Sequence, residues 1–183
     1  MAAKRVLVTG SSRGIGRSIA RHLASSGWQV ALHASTRSDE LTAMESELGK
    51  RASGAYAADL SVPGSAGRLF KQAIEDGPLQ ALVNNAGIYM PIDFLGSGDA
   101  AFEANLSRTF AVNFEAPLRL TRDACRYFSK HGGGKVLNVA SRVGFRGEGG
   151  AALYAASKAA MINLTRSLAV ELAPRRVGLY AIA

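Results

Sequence analysis

The most constraining feature of this chain is a short apolar run at residues 6–9 that leads straight into a glycine-rich segment, residues 10–16. An amphipathic helical pattern follows immediately. Glycine allows positive φ and a close approach of the backbone to a ligand, and a helix N-terminus favours anions. In the order strand, loop, helix, this segment predicts a pyrophosphate site for a dinucleotide. Residue 19 is isoleucine, so the spacing departs from G-x-G-x-x-G, and a tight turn without a ligand stays open as the alternative.

Apolar runs that are typical of strands alternate with helical patterns along the whole chain. The predicted strands are 6–9, 30–33, 54–58, 81–84, 135–140 and 177–183, and the predicted helices are 15–23, 41–48, 65–75, 97–130 and 152–172. Gly27 ends the first helix, a capping box at 36–39 precedes the second, and Pro117 interrupts the fourth. Strands that are apolar throughout indicate a parallel sheet covered on both faces. We therefore predict an α/β fold with a Rossmann-like, doubly wound sheet in a single domain, 1–183.

Composition excludes several classes of protein. A length of 183 residues suits one domain, and 48% apolar with 20% charged residues is typical of a globular chain rather than a disordered one. The single cysteine, Cys125, excludes an internal disulfide and a cysteine metal cluster, and no metal site is expected. The sequence contains neither a membrane-length apolar run nor a secretory segment. We expect a soluble cytoplasmic protein that makes no membrane contact.

The charge balance is positive, with 22 Lys and Arg against 14 Asp and Glu, which gives a net charge of +8. This sign favours a polyanionic partner, such as a phosphorylated cofactor, an acidic protein or nucleic acid, and it also fits simple solubility. No nucleic-acid-binding motif is present in the sequence. Nucleic acid is therefore the weakest of these alternatives.

The residues after the second predicted strand indicate which dinucleotide is bound. An acidic side chain there would bind the ribose hydroxyl of NAD, but the segment 33–37 contains no acid, and the first one is Asp39. Arg13 in the loop and Arg37 after the strand are placed to flank a 2′-phosphate. Hydrogen bonds to charged groups contribute about 1.5–3 kcal/mol each. The sequence therefore predicts NADP(H) as the cofactor.

Six short motifs occur in order along the chain. They are Thr9-Gly10-x-x-x-Gly14-x-Gly16, Asp59-Leu60, Asn84-Asn85-Ala86-Gly87, Asn113, Ser141 and Tyr154-x-x-x-Lys158. Together and at this spacing they resemble the short-chain dehydrogenase/reductase family over essentially the whole chain. The sequences Arg-Gly-Ile-Gly and Asn-Val-Ala-Ser are most similar to the branch that contains the 3-oxoacyl-acyl-carrier-protein reductases.

The resemblance implies an NADPH-dependent oxidoreductase that transfers a hydride to a carbonyl. It implies that Ser141 orients the substrate carbonyl, Tyr154 donates the proton, Lys158 supports the phenol and holds the ribose, and Asn113 serves a proton relay. With Arg37 added from the charge argument, the expected cofactor contacts are Gly10, Ser12, Arg13, Gly14, Ile15, Gly16, Arg37, Asp59, Leu60, Asn85, Ala86, Gly87, Tyr154 and Lys158.

The chemistry of the Tyr154 and Lys158 pair can be argued from the residues themselves. Four positions apart, they share one helix face. Phenols titrate near pH 10, so proton transfer near neutrality needs a positive charge close by, and an ammonium group one turn away provides it. A plain surface pair is the alternative.

Pro117 cannot donate a hydrogen bond to the carbonyl of Asn113 because proline has no amide hydrogen. That carbonyl is therefore free to hold a relay water. The alternative is a kink that serves only packing.

A basic stripe follows the helical spacing at the end of the fourth predicted helix. Its members are Arg119, Arg122, Arg126 and Lys130. In the reductases that the chain resembles, basic residues at the places of Lys130 and Arg175 dock the acidic acyl carrier protein. A solvated helix face is the alternative.

The resemblance also sets expectations for the end of the chain. The family continues beyond Ala183 with a substrate-covering lid and a seventh strand, so we expect six strands here, with the lid and last strand lacking. Full-length relatives are expected to be homo-oligomers. The expected substrate is a 3-oxoacyl thioester on acyl carrier protein, with another small ketone or alcohol as one alternative and a catalytically impaired dinucleotide-binding fragment as the other.

Overall fold

A computed structural model describes residues 4–183 of the chain as a six-stranded parallel sheet between two layers of helices. The strands are β1 Arg5–Val8, β2 Gln29–Ala34, β3 Ala52–Ala57, β4 Ala81–Asn84, β5 Gly134–Val139 and β6 Val177–Ile182. They lie in the order β3-β2-β1-β4-β5-β6, and every neighbouring pair is parallel. The predicted Rossmann-like fold is confirmed. The expectation of no leader segment falls partly on residues 1–3, which lie outside the described residues.

Within residues 4–183 the chain forms six α-helices. They are α1 Gly14–Ser25, α2 Asp39–Leu48, α3 Ser65–Glu75, α4 Asp99–Phe110, α5 Ala116–Lys130 and α6 Ala152–Leu172. Apolar side chains of α1 and α2 pack on one face of the sheet. Those of α3, α5 and α6 pack on the other. This distribution is what a doubly wound sheet requires, since each face must be covered to bury strands that are apolar on both sides.

The helix predicted at 97–130 differs from the structure in one respect. A π-helical turn, Ala111–Glu115, separates α4 from α5, and Pro117 sits in the first turn of α5. Proline is tolerated there because it has no amide to donate to the preceding turn. The irregularity thus falls a few residues before the proline and contains Asn113.

The amphipathic pattern of α1 predicts a stripe of Ile15, Ile19 and Leu23, of which Ile19 and Leu23 pack on the core and Ile15 does not. Gly16, Ala20 and Ala24 are the buried residues of this helix, whereas Ile15 is 64% exposed. A Cβ at Gly16 would collide with the carbonyl oxygen of Gly10. The helix therefore approaches the sheet through its small residues, and the side chain of Ile15 is left at the rim of the loop.

The carboxyl ends of the parallel strands meet at one edge of the sheet, where the chain leaves β1 at Thr9 and β4 at Asn85. In folds of this kind, ligands bind in the crevice outside that edge. No helix within residues 4–183 combines the length and the apolar character needed to cross a membrane.

Candidate functional site

The glycine-rich loop crosses the edge of the sheet between β1 and α1. Gly10 and Gly14 have φ of 63° and 54°, a region that L side chains rarely adopt. A Cβ on Gly10 would lie 2.9 Å from the Cα of Ala86. The loop therefore packs directly on the segment after β4, and the amino end of α1 opens beside it.

Thr9 and Asn85 hold the loop to the end of β4. The hydroxyl of Thr9 accepts hydrogen bonds from the amides of Asn85 and Ala86, both at 3.0 Å. The side-chain amide of Asn85 donates to the carbonyls of Thr9 and Gly10, at 2.9 and 3.1 Å. These four bonds fix the spacing between the loop and the Asn-Ala-Gly segment without any ligand.

A cleft of about 710 Å³ lies over this edge. Eleven of the predicted cofactor residues line it: Gly10, Ser12, Arg13, Gly14, Ile15, Gly16, Asp59, Leu60, Asn85, Ala86 and Gly87. Further lining residues that the sequence reasoning missed are His33, Ala34, Ser35, Thr36, Ser38, Glu40, Ala58, Ile88, Arg108 and Val112. A backbone cradle of glycines at a helix N-terminus, inside a cleft of this volume, fits a nicotinamide dinucleotide.

Three of the predicted cofactor residues do not line the cleft: Arg37, Tyr154 and Lys158. The guanidinium of Arg37 donates to the carbonyl of Ala55 at 3.1 Å and pairs with Glu45. Arg13, by contrast, does line the cleft. Glu40 also lines the cleft, and the nearby Arg13 and Ser38 help to hold the pKa of the Glu40 carboxyl below its usual value, with the hydrogen bond from Ser38 as the largest cause. The part of the cleft that Arg13 and Glu40 line therefore carries charges of both signs.

Lys158 and Tyr154 project from α6 at the other end of the site. The Nζ atom of Lys158 lies 5.7 Å from the centroid of the Tyr154 ring and donates to the carbonyl of Val139 at 2.9 Å. Lys158 is 3% exposed, and this burial lowers the pKa of its ammonium group to about 8. A Cβ on Gly87 would lie 3.5 Å from Nζ, so the cleft floor reaches the lysine directly.

Asn113 is fully buried in the π-helical turn and clamps the chain after β4. Its Oδ1 accepts from the amide of Ile88 and its Nδ2 donates to the carbonyl of Ile88, both at 2.8 Å. The same Nδ2 lies 3.3 Å from Oγ of Ser157, whose hydroxyl donates to the carbonyl of Tyr154 at 2.7 Å. Asn113 thus joins the cleft segment to the helix that carries Tyr154, and Ser157 is a contact that the sequence reasoning missed.

Ser141 follows β5 and opens the 3₁₀ turn Arg142–Gly144. Its Oγ accepts weakly from the amide of Val143 at 3.5 Å. A Cβ on Gly144 would lie 3.1 Å from the carbonyl carbon of Lys158, so this turn packs tightly on α6. The structure therefore places Ser141 on a turn that rests against the helix of Tyr154 and Lys158.

One exposed aromatic side chain packs on Tyr154. The ring of Tyr89 lies edge-on against Tyr154 with centroids 5.1 Å apart and is 53% exposed. Two other exposed rings have different partners: Phe94 packs on Phe102, and Phe145 lies beside the guanidinium of Arg166 on α6.

The basic stripe divides into two parts in the structure. Arg119 pairs with Glu115 at 2.9 Å, one turn away on the same face. Arg122, Arg126 and Arg175 line a groove of about 500 Å³ between α5 and α6, while Lys130 is exposed at the end of α5. The groove also contains Glu171 and the buried Cys125, whose thiol has its pKa raised to about 11, mainly by burial.

Comparisons with known proteins agree with the fold described above. The family model described as short chain dehydrogenase matches residues 4–183. Nodulation protein G of Rhizobium sp. (strain N33) is 37% identical over 184 residues, an alignment that covers all of this chain and 73% of that protein. The 3-oxoacyl-acyl-carrier-protein reductase of Aquifex aeolicus (strain VF5) is 37% identical, with 97% and 71% covered. A blue fluorescent protein from a metagenomic library, solved in complex with NADPH, superposes with a TM-score of 0.85 at 34% identity, covering 95% of this chain and 70% of that one.

Proposed function

Because this chain belongs to the short-chain dehydrogenase/reductase family of oxidoreductases, we propose that it reduces a carbonyl group with NADPH and that the carbonyl is that of a 3-oxoacyl thioester on acyl carrier protein. The observation that carries the proposal is the contact between the two halves of the site. The Asn-Ala-Gly segment touches the glycine-rich loop on one side and Lys158 and Asn113 on the other.

The proposed roles follow from those contacts. The nicotinamide ring, when bound, supplies the hydride. Tyr154 donates the proton to the carbonyl oxygen, and Ser141 donates a hydrogen bond that orients the same oxygen. Lys158 holds a positive charge 5.7 Å from the phenol ring, which favours the tyrosinate left after proton transfer. Asn113 keeps the Ile88 segment against α6, so that the proposed cofactor site and the proton donor keep a fixed relative position.

Arg13 and the hydroxyl groups of Ser35 and Thr36 support NADPH over NADH. All three line the adenosine end of the cleft, where a 2′-phosphate would need cationic and hydroxyl donors. The NADPH complex of the metagenomic blue fluorescent protein adds support from a relative. Glu40 on the same rim acts against a phosphate, so the preference rests on the balance between its carboxylate and Arg13.

The substrate class rests on similarity to the Aquifex aeolicus reductase and on the basic groove. A second candidate, a bulky ketone or alcohol that is not bound to a carrier, is favoured by the exposed ring of Tyr89, which packs on Tyr154. Acetoacetyl thioester and an aryl ketone therefore form the matched pair of test substrates.

The test measures NADPH binding by fluorescence and then NADPH oxidation by absorbance with each substrate. We expect saturable binding and faster oxidation with the acetoacetyl thioester. Faster oxidation with the aryl ketone would assign the second candidate. Binding without oxidation of either would assign a dinucleotide-binding protein that lacks catalysis.

We further propose that the acyl carrier protein docks near the basic groove between α5 and α6. Reversal of Lys130 and Arg175 to glutamate removes two exposed cations near the groove, which weakens attraction to an acidic partner. We expect KM for carrier-bound substrate to rise about tenfold while KM for a short pantetheine thioester stays constant. The same charge reversal at Lys50, an exposed residue that follows α2 on the other face of the sheet, is the control. Equal changes for both substrates would contradict docking.

We also propose a cytoplasmic location and a homo-oligomeric assembly. A single cysteine that is buried and unpaired suits a reducing compartment. The homo-oligomeric assembly is what the family resemblance implies for full-length relatives. Light scattering on the purified protein tests the assembly.

A further inference from the structure

His33 is a buried histidine that touches both the glycine-rich loop and the end of β3. It lies near the carboxyl end of β2 and is 2% exposed. The amide of Gly10 donates to its Nδ1 at 3.1 Å, and its Nε2 lies 2.9 Å from the carbonyl oxygen of Ala58. The imidazole therefore spans the cleft floor from the loop to the residue that precedes Asp59.

These two contacts assign the protonation state of the ring. Nδ1 accepts from an amide, so it carries no proton, and Nε2 must carry one to donate to the carbonyl of Ala58. An imidazolium would carry a second proton at Nδ1 and point it at the amide of Gly10. The neutral ring therefore makes both bonds, and the protonated ring makes only one.

The backbone of His33 strengthens the link to the loop. The amide of Ser11 donates to the carbonyl of His33 at 2.9 Å, and the amide of His33 donates to Oγ of Ser11 at the same distance. Two consecutive loop amides, those of Gly10 and Ser11, are thus held by one residue. Loop amides are the groups that would otherwise be free to shift when a pyrophosphate approaches.

We propose that His33 is a positioning residue whose neutral imidazole holds the glycine-rich loop in its dinucleotide-binding conformation, and that protonation of this ring weakens dinucleotide binding. The inference rests on the proposed dinucleotide-binding function. It adds a pH-dependent step that acts on cofactor affinity rather than on proton transfer to substrate.

The surroundings of His33 are consistent with a neutral ring. The ionisable groups on the elements around it are Arg13, Arg37, Glu40, Tyr56, Asp59 and Arg108. Among the hydrogen bonds of residues 4–183, none joins these side chains to the imidazole. Tyr56, the register partner of His33 on β3, directs its hydroxyl to Asp76 instead. Burial lowers the pKa of His33 below its ordinary value, against a smaller opposing effect of the bond to Ala58.

The test compares His33→Asn with His33→Leu. Asparagine offers an acceptor and a donor on one short side chain and does not titrate, whereas leucine offers neither. The third variant, His22→Asn, changes an exposed histidine on α1 and serves as the control. Circular dichroism establishes that each variant folds.

The first measurement is the Kd for NADP⁺ and NAD⁺ by calorimetry as the pH falls from neutrality. NAD⁺ is included because the 2′-phosphate of NADP⁺ itself titrates near pH 6. We expect the wild-type Kd to rise about tenfold for each pH unit below the titration of His33, in proportion to the neutral fraction. The Kd of His33→Asn stays level with NAD⁺, and that of His33→Leu is about tenfold weaker than that of His33→Asn at every pH. His22→Asn follows the wild type.

The second measurement is hydrogen exchange at the amide of Gly10 without a dinucleotide. We expect protection at neutral pH in the wild type and in His33→Asn, and loss of protection in His33→Leu. Coincident pH profiles of Kd for the wild type and His33→Asn, or an equally protected Gly10 in His33→Leu, would overturn the inference. A wild-type protein that binds neither dinucleotide at any pH would instead remove the proposed function, while the exchange result would still decide whether His33 holds the loop.

Discussion

Two regions of the site are built differently. Around Tyr154, Asn113 is fully buried and Lys158 is 3% exposed, and each is held by hydrogen bonds to backbone groups. At the proposed adenosine end of the cleft, Arg13 and Glu40 are exposed, as is the neighbouring Arg37, and their charges act partly through water. Buried polar groups are costly to disturb, whereas exposed ion pairs contribute about 0–1 kcal/mol. Substitutions around Tyr154 should therefore have large effects. Those at the adenosine end of the cleft should change only the balance between the charges of Arg13 and Glu40.

The largest effect is expected from Tyr154→Phe, which removes the proposed proton donor and keeps the ring that packs on Tyr89. Loss of a general acid lowers kcat by about 10²–10⁴-fold. The Kd for NADPH, measured by fluorescence, should change little because the contacts of the glycine-rich loop are untouched. Tyr127→Phe makes the same chemical change on α5, where the ring stacks on His131, and should retain activity. Full turnover in Tyr154→Phe would exclude the phenol from the chemistry.

The buried ammonium of Lys158 predicts an effect on stability with a definite sign. Its pKa is lowered to about 8 in the folded protein, against 10.5 for an ordinary lysine. Between these values the unfolded chain holds a proton that the folded chain has released, so the free energy of unfolding rises with pH. At 1.36 kcal/mol per unit, the contribution of Lys158 to this rise reaches about 3 kcal/mol. The raised pKa of the Cys125 thiol, about 11, acts in the opposite direction above about pH 9, so the quantity to compare is the difference between the wild type and a variant without the ammonium group.

Urea unfolding, followed by the fluorescence of the single tryptophan, Trp28, measures this rise. Lys158→Met has no ammonium group to titrate, so its stability should lack the rise between about pH 8 and 10.5. Lys71→Met, at an exposed position on α3, should keep the wild-type profile. A rise of the same size in Lys158→Met would place its origin in other groups and would weaken the contrast between the two regions.

Much of the scaffold could be predicted because its signals are local. The bounds of α3 and α6 match the predicted 65–75 and 152–172, since an amphipathic stripe or a long small-residue pattern ended by a breaker defines each helix. The glycine-rich loop could be predicted for the same reason. The positive φ at Gly10 favours glycine whatever residues lie around it.

Features that depend on tertiary contacts could not be predicted from the sequence. Arg37 stands at a sequence position that suits a phosphate, yet Glu45 on α2 binds its guanidinium. The fully buried residues of α1 are small, and at Gly16 the reason is the close approach to Gly10, a contact that the sequence alone does not show. His33 lies in an apolar strand, and its polar side chain near the end of that strand was the one available signal for a contact with the loop.

The smallest effects are expected from substitutions at the adenosine end of the cleft, where Arg13 is compared with Arg37. Arg13→Gln should raise the Kd for NADPH about tenfold, the lower end of a charged hydrogen bond, and leave the Kd for NADH unchanged. Arg37→Gln should raise it less than about threefold, because its guanidinium is already bound by Glu45 and Ala55. Glu40→Gln should lower the Kd for NADPH, since it removes a carboxylate from the same rim. If Arg37→Gln matched or exceeded Arg13→Gln, the guanidinium of Arg37 would have to leave Glu45 when the phosphate binds, and the rim would be a rearranging site rather than a fixed one.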